Sequence, residues 1–586
     1  MRGRRMIDNE RGIALVVVLL VVVAVAAIIA GSALLSSSTS LIARHEARLG
    51  VLETAADAGL EEARSRINGD RTQYPNSSFV SLEAGVAVYA ADGSVIPNAQ
   101  RWLYVGPSGV TTGQYGVFGS IVSVTQDAQG DRVVRRSEVN QESFAKYAYF
   151  TTAEKNIQFA NGDQILGPVF SDDFINIASS GAIFNGPVAT AKSVNGKAFG
   201  VFKQGLTEGA PVIAMPTTAD LLRLRGQASI GGAAIVSPTL GTEADGQATT
   251  RIEFVAVDLN GDGDSSDDGE GFMKVYQLTN PADIWWVVGD AKTAQQQKGD
   301  STGVLTSANC GLFTTGAGKK TTRCYLGGSD SLNPIAPLTG QRPFVPIDAH
   351  GHWLQWIGPV DPRLPAIRAD AAFLWPINRA TNPSFRGVVY VDGRVAVSGK
   401  LRGRLTLAAS GSIIIADDLR DVTNPGAANC ADLLGLFSGV DIVVADNLVN
   451  DPVPGVASAP GPRSWDETPD TWLDGFVLSL GSFRAENFNK GSNNAELCGI
   501  TKTGAPNPSG RGCLFVTGGV IQTSRGAVGL TSGEGYVKRY QYDQCGATNP
   551  PPYFPTTGHF ARGHYYEVDP TGFDVNSYWS LLVPKQ

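Results

Sequence analysis

The longest apolar run in the chain lies close to its amino terminus. Residues 13–35 contain no charged side chain. At 1.5 Å per residue, a helix of this length spans roughly 34 Å, which exceeds the hydrocarbon thickness of a bilayer. Four arginines precede the run and place its amino-terminal side in the cytoplasm by the positive-inside rule; they are Arg2, Arg4, Arg5 and Arg11. The pattern predicts one membrane-spanning helix, with cleavage as a secretory signal near Gly31 left as the alternative.

A second, amphipathic pattern follows the apolar run without a proline. Over residues 36–68, apolar side chains recur at helical spacing and charged ones occupy the other positions. The apolar set is Leu41, Ile42, Leu49, Leu52, Ala55, Ala56 and Leu60. The two patterns together predict one continuous helix over residues 13–68, roughly 80 Å long.

Beyond Asn68 the helical period stops, and short β-type runs alternate with Gly, Asp and Asn turns. The segment 127–131 is typical of a hairpin turn. In 386–416, apolar strands of a few residues are separated by Gly-containing dipeptides, which favours β-helix-like stacking. The predicted fold class is α+β, a long helix followed by a mainly-β region. We divide that region into a β-rich domain at 69–200, a β-rich insert with an acidic hairpin at 201–385, and a β-helix-like and C-terminal region at 386–586.

Composition narrows the classes of function. Charged residues make up 17% of the chain, and 69 glycines and 32 prolines fit many short strands joined by turns. The formal net charge is -8, and no Lys/Arg run occurs after residue 11. Nucleic acid is therefore not an expected partner, because phosphate binding needs a basic face.

Three features of the amino terminus coincide. A basic leader ends in Glu10-Arg11-Gly12, the apolar helix begins at Ile13, and the sequence AADAGLEEA follows at residues 55–63. Together they resemble the amino-terminal module of PilX-like minor type IV pilins. The segment GPVFSDDFINI at 167–177 also resembles regions that accompany such modules. The resemblance implies cleavage by prepilin peptidase between Gly12 and Ile13, with Ile13 becoming an N-methylated first residue.

Val17 stands where major pilins of this family carry a glutamate. A carboxylate in the bilayer is energetically unfavourable unless it pairs with the amino terminus of a neighbouring subunit. A subunit with valine at this position needs no such neighbour, which indicates a minor, priming or tip role. Small residues let helices approach closely in lipid. The set expected to pack against other pilin or pseudopilin helices is Ala24, Ala26, Ala27, Ala30 and Gly31. An ordinary signal anchor on a surface protein is the alternative.

Six cysteines are present and none forms a CxxC pair. In an oxidising compartment we expect Cys310 to pair with Cys324 and Cys498 with Cys513, because each pair brackets a short Gly-rich loop. That leaves Cys430 with Cys545. Six separate buried thiols are the alternative.

The sharpest local motif is an acidic loop at 258–270, whose start matches the D-x-[DN]-x-[DN]-G pattern of calcium loops. The flanking residues are strand-like, so an acidic hairpin is predicted rather than an EF-hand. Oxygen ligands for Ca²⁺ would come from Asp258, Asn260, Asp262 and Asp264, with Asp268 or Glu270 closing the shell. An acidic turn without a bound ion is the alternative.

These features predict a non-enzymatic minor type IV pilin-like assembly or adhesion protein, anchored in the inner membrane with its bulk outside the cytoplasm. The competing hypothesis is a membrane-anchored β-helix enzyme or binding protein that acts on polysaccharide. Its carboxylates would come from Asp417, Asp418 and Asp421.

Overall fold

The chain forms two compact units. The computed structural model describes residues 10–75, 78–90, 92–109, 118–160, 163–281, 284, 287, 311–314, 320–323, 346–347, 351–425, 430–445, 471–486, 488–489, 513–530 and 534–582. The first unit comprises Met1–Gln141 and Gly558–Gln586, and the second comprises Glu142–Thr557. The fold class is α+β, as predicted. The boundaries predicted at residues 200 and 385 do not separate compact units, because strands on both sides of each belong to one parallel stack.

A five-stranded antiparallel sheet forms the first unit together with two helices. Helix α1 (Glu10–Gly69) precedes strands β1 (Val80–Tyr89), β2 (Val95–Pro107), β3 (Phe118–Asp127) and β4 (Arg132–Ser143). The carboxy-terminal strand Thr556–Val568 pairs beside β4, and a short helix, Val575–Leu582, follows it. The hairpin predicted at 127–131 is confirmed, since Gln126 of β3 pairs with Arg132 of β4.

Each face of this sheet is covered by a helix. The second half of α1 buries Leu60, Ala63 and Ile67 against one face. On the other face, Trp579 of the carboxy-terminal helix packs among Val122, Val124 and Val134 of the strands. Alternate residues of one strand therefore serve two cores, because successive side chains point to opposite faces.

Short strands make up the second unit. The amino-terminal group comprises β5 (Tyr149–Ala153), β6 (Asp163–Leu166), β7 (Val169–Ser171), β8 (Ile175–Asn176), β9 (Ala182–Phe184), β10 (Val188–Thr190), β11 (Val194–Asn195), β12 (Gly200–Phe202) and β13 (Leu206–Glu208). After helix α2 (Thr218–Ile230) come β14 (Ala234–Val236), β15 (Thr250–Ala256), β16 (Gly271–Leu278), β17 (Gly311–Thr314), β18 (Lys320–Arg323), β19 (Gly351–Trp353), β20 (Trp375–Pro376), β21 (Val388–Asp392), β22 (Val395–Leu401), β23 (Arg404–Ala409), β24 (Ile413–Asp421), β25 (Leu433–Ser438), β26 (Ile442–Val444), β27 (Thr471–Ser479), β28 (Phe483–Ala485), β29 (Cys513–Ser524) and β30 (Val537–Tyr542).

Most of these strands wind as a parallel β-helix with three stacks. The exceptions include β16, which pairs antiparallel with β15, β19 and β20, and β17, which pairs antiparallel with β18. The first stack runs β14, β21, β23, β25, β27, β29, β5, β7, β10, β13. The second stack runs β15, β22, β24, β26, β28, and the third runs β22, β24, β27, β29, β30, β6, β9, β12. Long strands such as β29 turn from one stack into the next, and the core is filled by the inward Val, Ile, Leu and Phe side chains.

The winding starts in the middle of the β-helix rather than at one end. Strands β5 to β13 coil outward, and the chain then passes through α2 to β14 at the far end. From there it winds back until β29 pairs with β5, Val520 opposite Tyr149, and β30 pairs with β6. We call this junction of β29 and β30 with β5 and β6 the seam, where residues more than 360 positions apart become neighbours.

Candidate functional site: the amino-terminal helix and the acidic loops

The first half of α1 is an apolar surface without protein contacts among the described residues. Residues 12–30 are all exposed. Within the described part of the chain it is the one helix long and apolar enough to cross a membrane. Because isolated apolar surface of this size is unstable in water, this half of the helix is consistent with a single-pass membrane anchor.

The residues predicted for processing and packing lie on this exposed half. Gly12 and Ile13 are exposed in the first turns of α1, which begins at Glu10. Val17 is also exposed, as are the four alanines of the predicted packing set, and Gly31 is partly exposed. At 100° per residue the set spans one broad side of the helix. That side is therefore available to a partner helix.

The second half of α1 is tied firmly to the sheet of its own unit. A Cβ at Gly59 would lie 2.5 Å from Ser123 Oγ and 2.7 Å from a methyl of Leu103, so glycine permits this close approach. On the carboxy-terminal strand, the backbone N–H of Phe560 donates to the side chain of Asn68 at 2.7 Å. Gly59 belongs to the AADAGLEEA motif, and its packing role was not predicted from the sequence.

Charged side chains join the same part of α1 to the sheet. Arg101 donates to Glu83 at 2.8 Å, and both side chains are largely buried. Arg66 bridges Glu83 and Glu62 from the helix. Although burial opposes ionisation, hydrogen bonds from Arg66 and Arg101 lower the pKa of Glu62. The apolar half of α1 is thus carried by a half whose orientation is fixed by both packing and ion pairs.

One predicted disulfide is present within the described residues: Cys430 is bonded to Cys545. It links the segment before β25 to the short helix Cys545–Thr548 that follows β30. Cys513 is also disulfide-bonded. Cys310, Cys324 and Cys498 lie outside the described residues, so the pairings Cys310–Cys324 and Cys498–Cys513 stay predictions.

The predicted acidic hairpin joins β15 and β16, which pair antiparallel from Thr250–Gln277 to Ala256–Gly271. Its first carboxylates hold a series of tight turns. Asp258 accepts from the backbone N–H groups of Gly261 and Gly263, and the Asn260, Asp262 and Asp264 side chains each accept from the residue two positions later. The exposed loop thus presents side-chain oxygens on four alternate residues, each a possible ligand for a metal ion.

The two residues predicted to close the shell have other roles. Both carboxylate oxygens of the buried Glu270 accept backbone N–H groups, from Leu259 and Asp267. Asp268 accepts from Arg402 at 3.0 Å. Within the described residues no group of three or more His, Cys, Asp or Glu side chains converges as a metal site. The four oxygens from Asp258 to Asp264 therefore suit Ca²⁺, whereas Asp268 and Glu270 are engaged elsewhere. Ca²⁺ binding stays a prediction.

The carboxylates named for polysaccharide chemistry lie along β24: Asp417 and Asp418 at the turn from the second stack to the third, and Asp421 at the end of the strand. The buried Asp418 accepts from the backbone N–H of Trp472 at 2.8 Å. Asp421 is packed beside Asp474 of β27, whose pKa burial raises to about 6. Trp353 of β19 and the nearby Trp356 are buried in the core.

Several charged residues with structural importance were missed from the sequence. Asp474 and Asp543 stand inside or beside β-type runs, and Glu154 pairs with Arg525 across the seam at 2.8 Å. A single charge inside an apolar strand, as in TWLDGFVLS at 471–479, was the available signal. Its partner could not be identified without the winding order.

The chain is similar to few known proteins. No protein-family model matches the chain, and no curated protein matches it. Among solved structures, the chain is similar to the competence-associated pilin ComZ from Thermus thermophilus, with 13% identity over 88% of this chain and 96% of that chain and a TM-score of 0.27. A likeness at this TM-score does not establish a common fold.

Proposed function

We propose that this protein is a minor type IV pilin-like structural subunit, anchored in the inner membrane by residues 13–35 and presenting its β-rich region outside the cytoplasm for pilus assembly or adhesion. Prepilin peptidase cleaves the leader after Gly12, and Ile13 becomes the methylated amino terminus. The mature helix then packs against other pilin or pseudopilin subunits.

One observation carries the proposal: a single helix, Glu10–Gly69, is bare and apolar in its first half and locked to a sheet in its second half. A flexible signal anchor would not need this rigid continuity. Rigid coupling transmits the position of the membrane helix to the folded unit, which is what an assembly of parallel helices requires. The leader Glu10-Arg11-Gly12 directly before Ile13 supports processing at that bond.

Mass spectrometry of the amino-terminal peptide tests the processing step. In cells that contain prepilin peptidase, the membrane-extracted protein is expected to begin with N-methylated Ile13. A Gly12→Val variant is expected to retain Met1, because a branched side chain is introduced at the cleaved bond. Gly31→Ala, within the same helix, serves as the control and keeps the mature terminus. An intact Met1 in the wild-type protein would refute the pilin reading and favour the signal anchor.

Cysteine cross-linking in membranes tests helix packing. Ala27→Cys lies on the side of α1 that carries the small residues, and Val25→Cys lies on the opposite side, because two positions correspond to 200°. Cross-links to neighbouring pilin helices are expected from Ala27→Cys and not from Val25→Cys. Equal yields from the two positions would contradict packing through the small-residue side.

A further inference from the structure

Four aspartates meet where the third stack turns into the first stack. Asp421 ends β24, Asp474 lies in β27, Asp432 directly precedes β25 and Asp543 directly follows β30. We call these four residues the carboxylate corner. Asp432, Asp474 and Asp543 are each no more than 5% exposed. The backbone N–H of Asp421 donates to Asp474 Oδ2 at 3.2 Å, which brings the two carboxylates onto adjacent turns of the β-helix.

Nearby arginines offset the negative charge of some aspartates of the carboxylate corner more than that of others. Arg402 donates to Asp432 at 2.7 Å, and the charge of Arg420 acts on Asp474. Asp421 Oδ1 is shielded from solvent and accepts no hydrogen bond from any described residue. Burial, followed by repulsion from Asp474, Asp432 and Asp543, raises the pKa of Asp421 well above its usual range.

A covalent bond crosses the same corner. Cys430 lies two residues before Asp432, and Cys545 lies two residues after Asp543 and donates its backbone N–H to that carboxylate at 2.9 Å. The disulfide therefore clamps together two segments whose aspartates repel Asp421 and, in the case of Asp543, also Asp474.

The clamped segment covers an apolar surface. Residues 543–557 lie over the outer side of the first stack, where Phe554 packs with Phe476 at 6.4 Å between ring centroids. Arg404 also holds this segment by donating to the carbonyls of Asn549 and Pro550 at 2.8 and 2.9 Å. Release of the segment would remove Asp543 from the corner and expose the surface beneath it.

We propose that the carboxylate corner is a pH-sensitive latch for residues 543–557, and that the Cys430–Cys545 disulfide keeps this latch closed at neutral pH. Without the bond, the segment stays docked while the corner carries protons and opens when the corner ionises. This inference goes beyond the filament role and does not depend on it.

The direction and size of the effect follow from linkage. The closed corner raises the pKa of Asp474 from 3.8 to about 6. Closure is therefore strongest below pH 3.8, weakens as the pH rises from 3.8 to about 6, and changes little above that range. If opening restores the ordinary pKa, Asp474 alone shifts the opening equilibrium about tenfold between pH 5 and pH 7.5. Asp421, whose pKa is also raised in the closed corner, shifts the opening equilibrium in the same direction.

Hydrogen–deuterium exchange of the detergent-solubilised full chain measures the opening. In a Cys430→Ala/Cys545→Ala variant, protection factors of peptides within 543–557 are expected to fall at least tenfold from pH 5 to pH 7.5, whereas the wild type keeps them at both. Adding Asp474→Asn is expected to restore protection at pH 7.5. Adding Asp245→Asn, which removes an exposed partner of Arg484 instead, is the matched control and leaves the pH dependence intact.

Two results would overturn the latch: protection independent of pH in the double cysteine variant, or a pH dependence that Asp474→Asn does not reduce. If the double variant does not fold, Asp474→Asn with the disulfide intact gives the answer. Its melting temperature is expected to exceed that of the wild type at pH 7.5, by a margin that shrinks as the pH falls towards 3.8. An unchanged or lower melting temperature at pH 7.5 refutes the proposal.

Discussion

The ion pair across the seam offers the most direct test of how this β-helix is closed. Arg525 follows β29, and its guanidinium donates to Glu154 at 2.8 Å while lying 3.8 Å from the ring centroid of Phe159. The Glu154 side chain is fully buried and that of Arg525 is 4% exposed. Tyr149 donates a second hydrogen bond to the same carboxylate at 3.3 Å.

Arg525→Met removes the cation and keeps an apolar side chain of similar length. Glu154 is then left buried without its counter-ion, and such a loss costs about 3–5 kcal/mol of folding free energy. Arg363→Met is the matched control, because the Arg363 side chain in its pair with Asp361 is 51% exposed, and ion pairs made by solvent-exposed cations contribute about 0–1 kcal/mol. The double variant Arg525→Met/Glu154→Leu is expected to recover most of the loss, since it leaves no buried charge.

Guanidinium chloride unfolding, followed by tryptophan fluorescence of the full chain in detergent, measures these differences. The Arg525→Met midpoint is expected to fall well below that of Arg363→Met, with the double variant between Arg525→Met and the wild type. A loss under 1 kcal/mol for Arg525→Met would refute the idea that this pair secures the seam. A double variant as unstable as the single one would show that lost packing, rather than the unpaired carboxylate, is the cause.

Two further outcomes follow from the described contacts. Gly59→Val is expected to lower the free energy of unfolding by about 1–3 kcal/mol, because it overpacks α1 against Ser123 and Leu103. Gly50→Ala, where no atom lies within 4 Å, is expected to stabilise the helix by about 1 kcal/mol. Equal melting temperatures for the two variants would contradict this. If the acidic loop binds Ca²⁺, calcium at 100 times its dissociation constant adds about 2.7 kcal/mol of stability, and Asp262→Asn abolishes that gain; a melting temperature insensitive to calcium would rule the site out.

Local patterns were sufficient wherever a structure depends on neighbours in sequence. The helix predicted over 13–68 is observed at Glu10–Gly69, because an uncharged run and an amphipathic run share one helical period. The turn at 127–131 and the acidic hairpin at 258–270 formed as expected, since Gly, Asp and Asn specify their own backbone turns. Stacked parallel strands in 386–416 were also predicted correctly.

Long-range pairings were beyond sequence reasoning. The return of the carboxy-terminal strand to the first sheet divides the chain into two units rather than the predicted segments, and only tertiary structure specifies that return. The roles of Glu270 and Asp268 in the acidic loop likewise depended on neighbours that the motif does not contain: the backbone of Leu259 and the side chain of Arg402.

The sequence by itself determined that this protein carries a lipid-compatible helix, an amphipathic continuation and many short strands, because hydrophobic period and turn chemistry act over a few residues. Tertiary structure alone decided where the winding begins, which distant charges meet at the seam and which aspartates share the carboxylate corner. Parallel stacking places side chains together by rung and not by sequence distance. Consequently, Glu154 has its counter-ion at residue 525, and Asp421 is surrounded by carboxylates from three other segments.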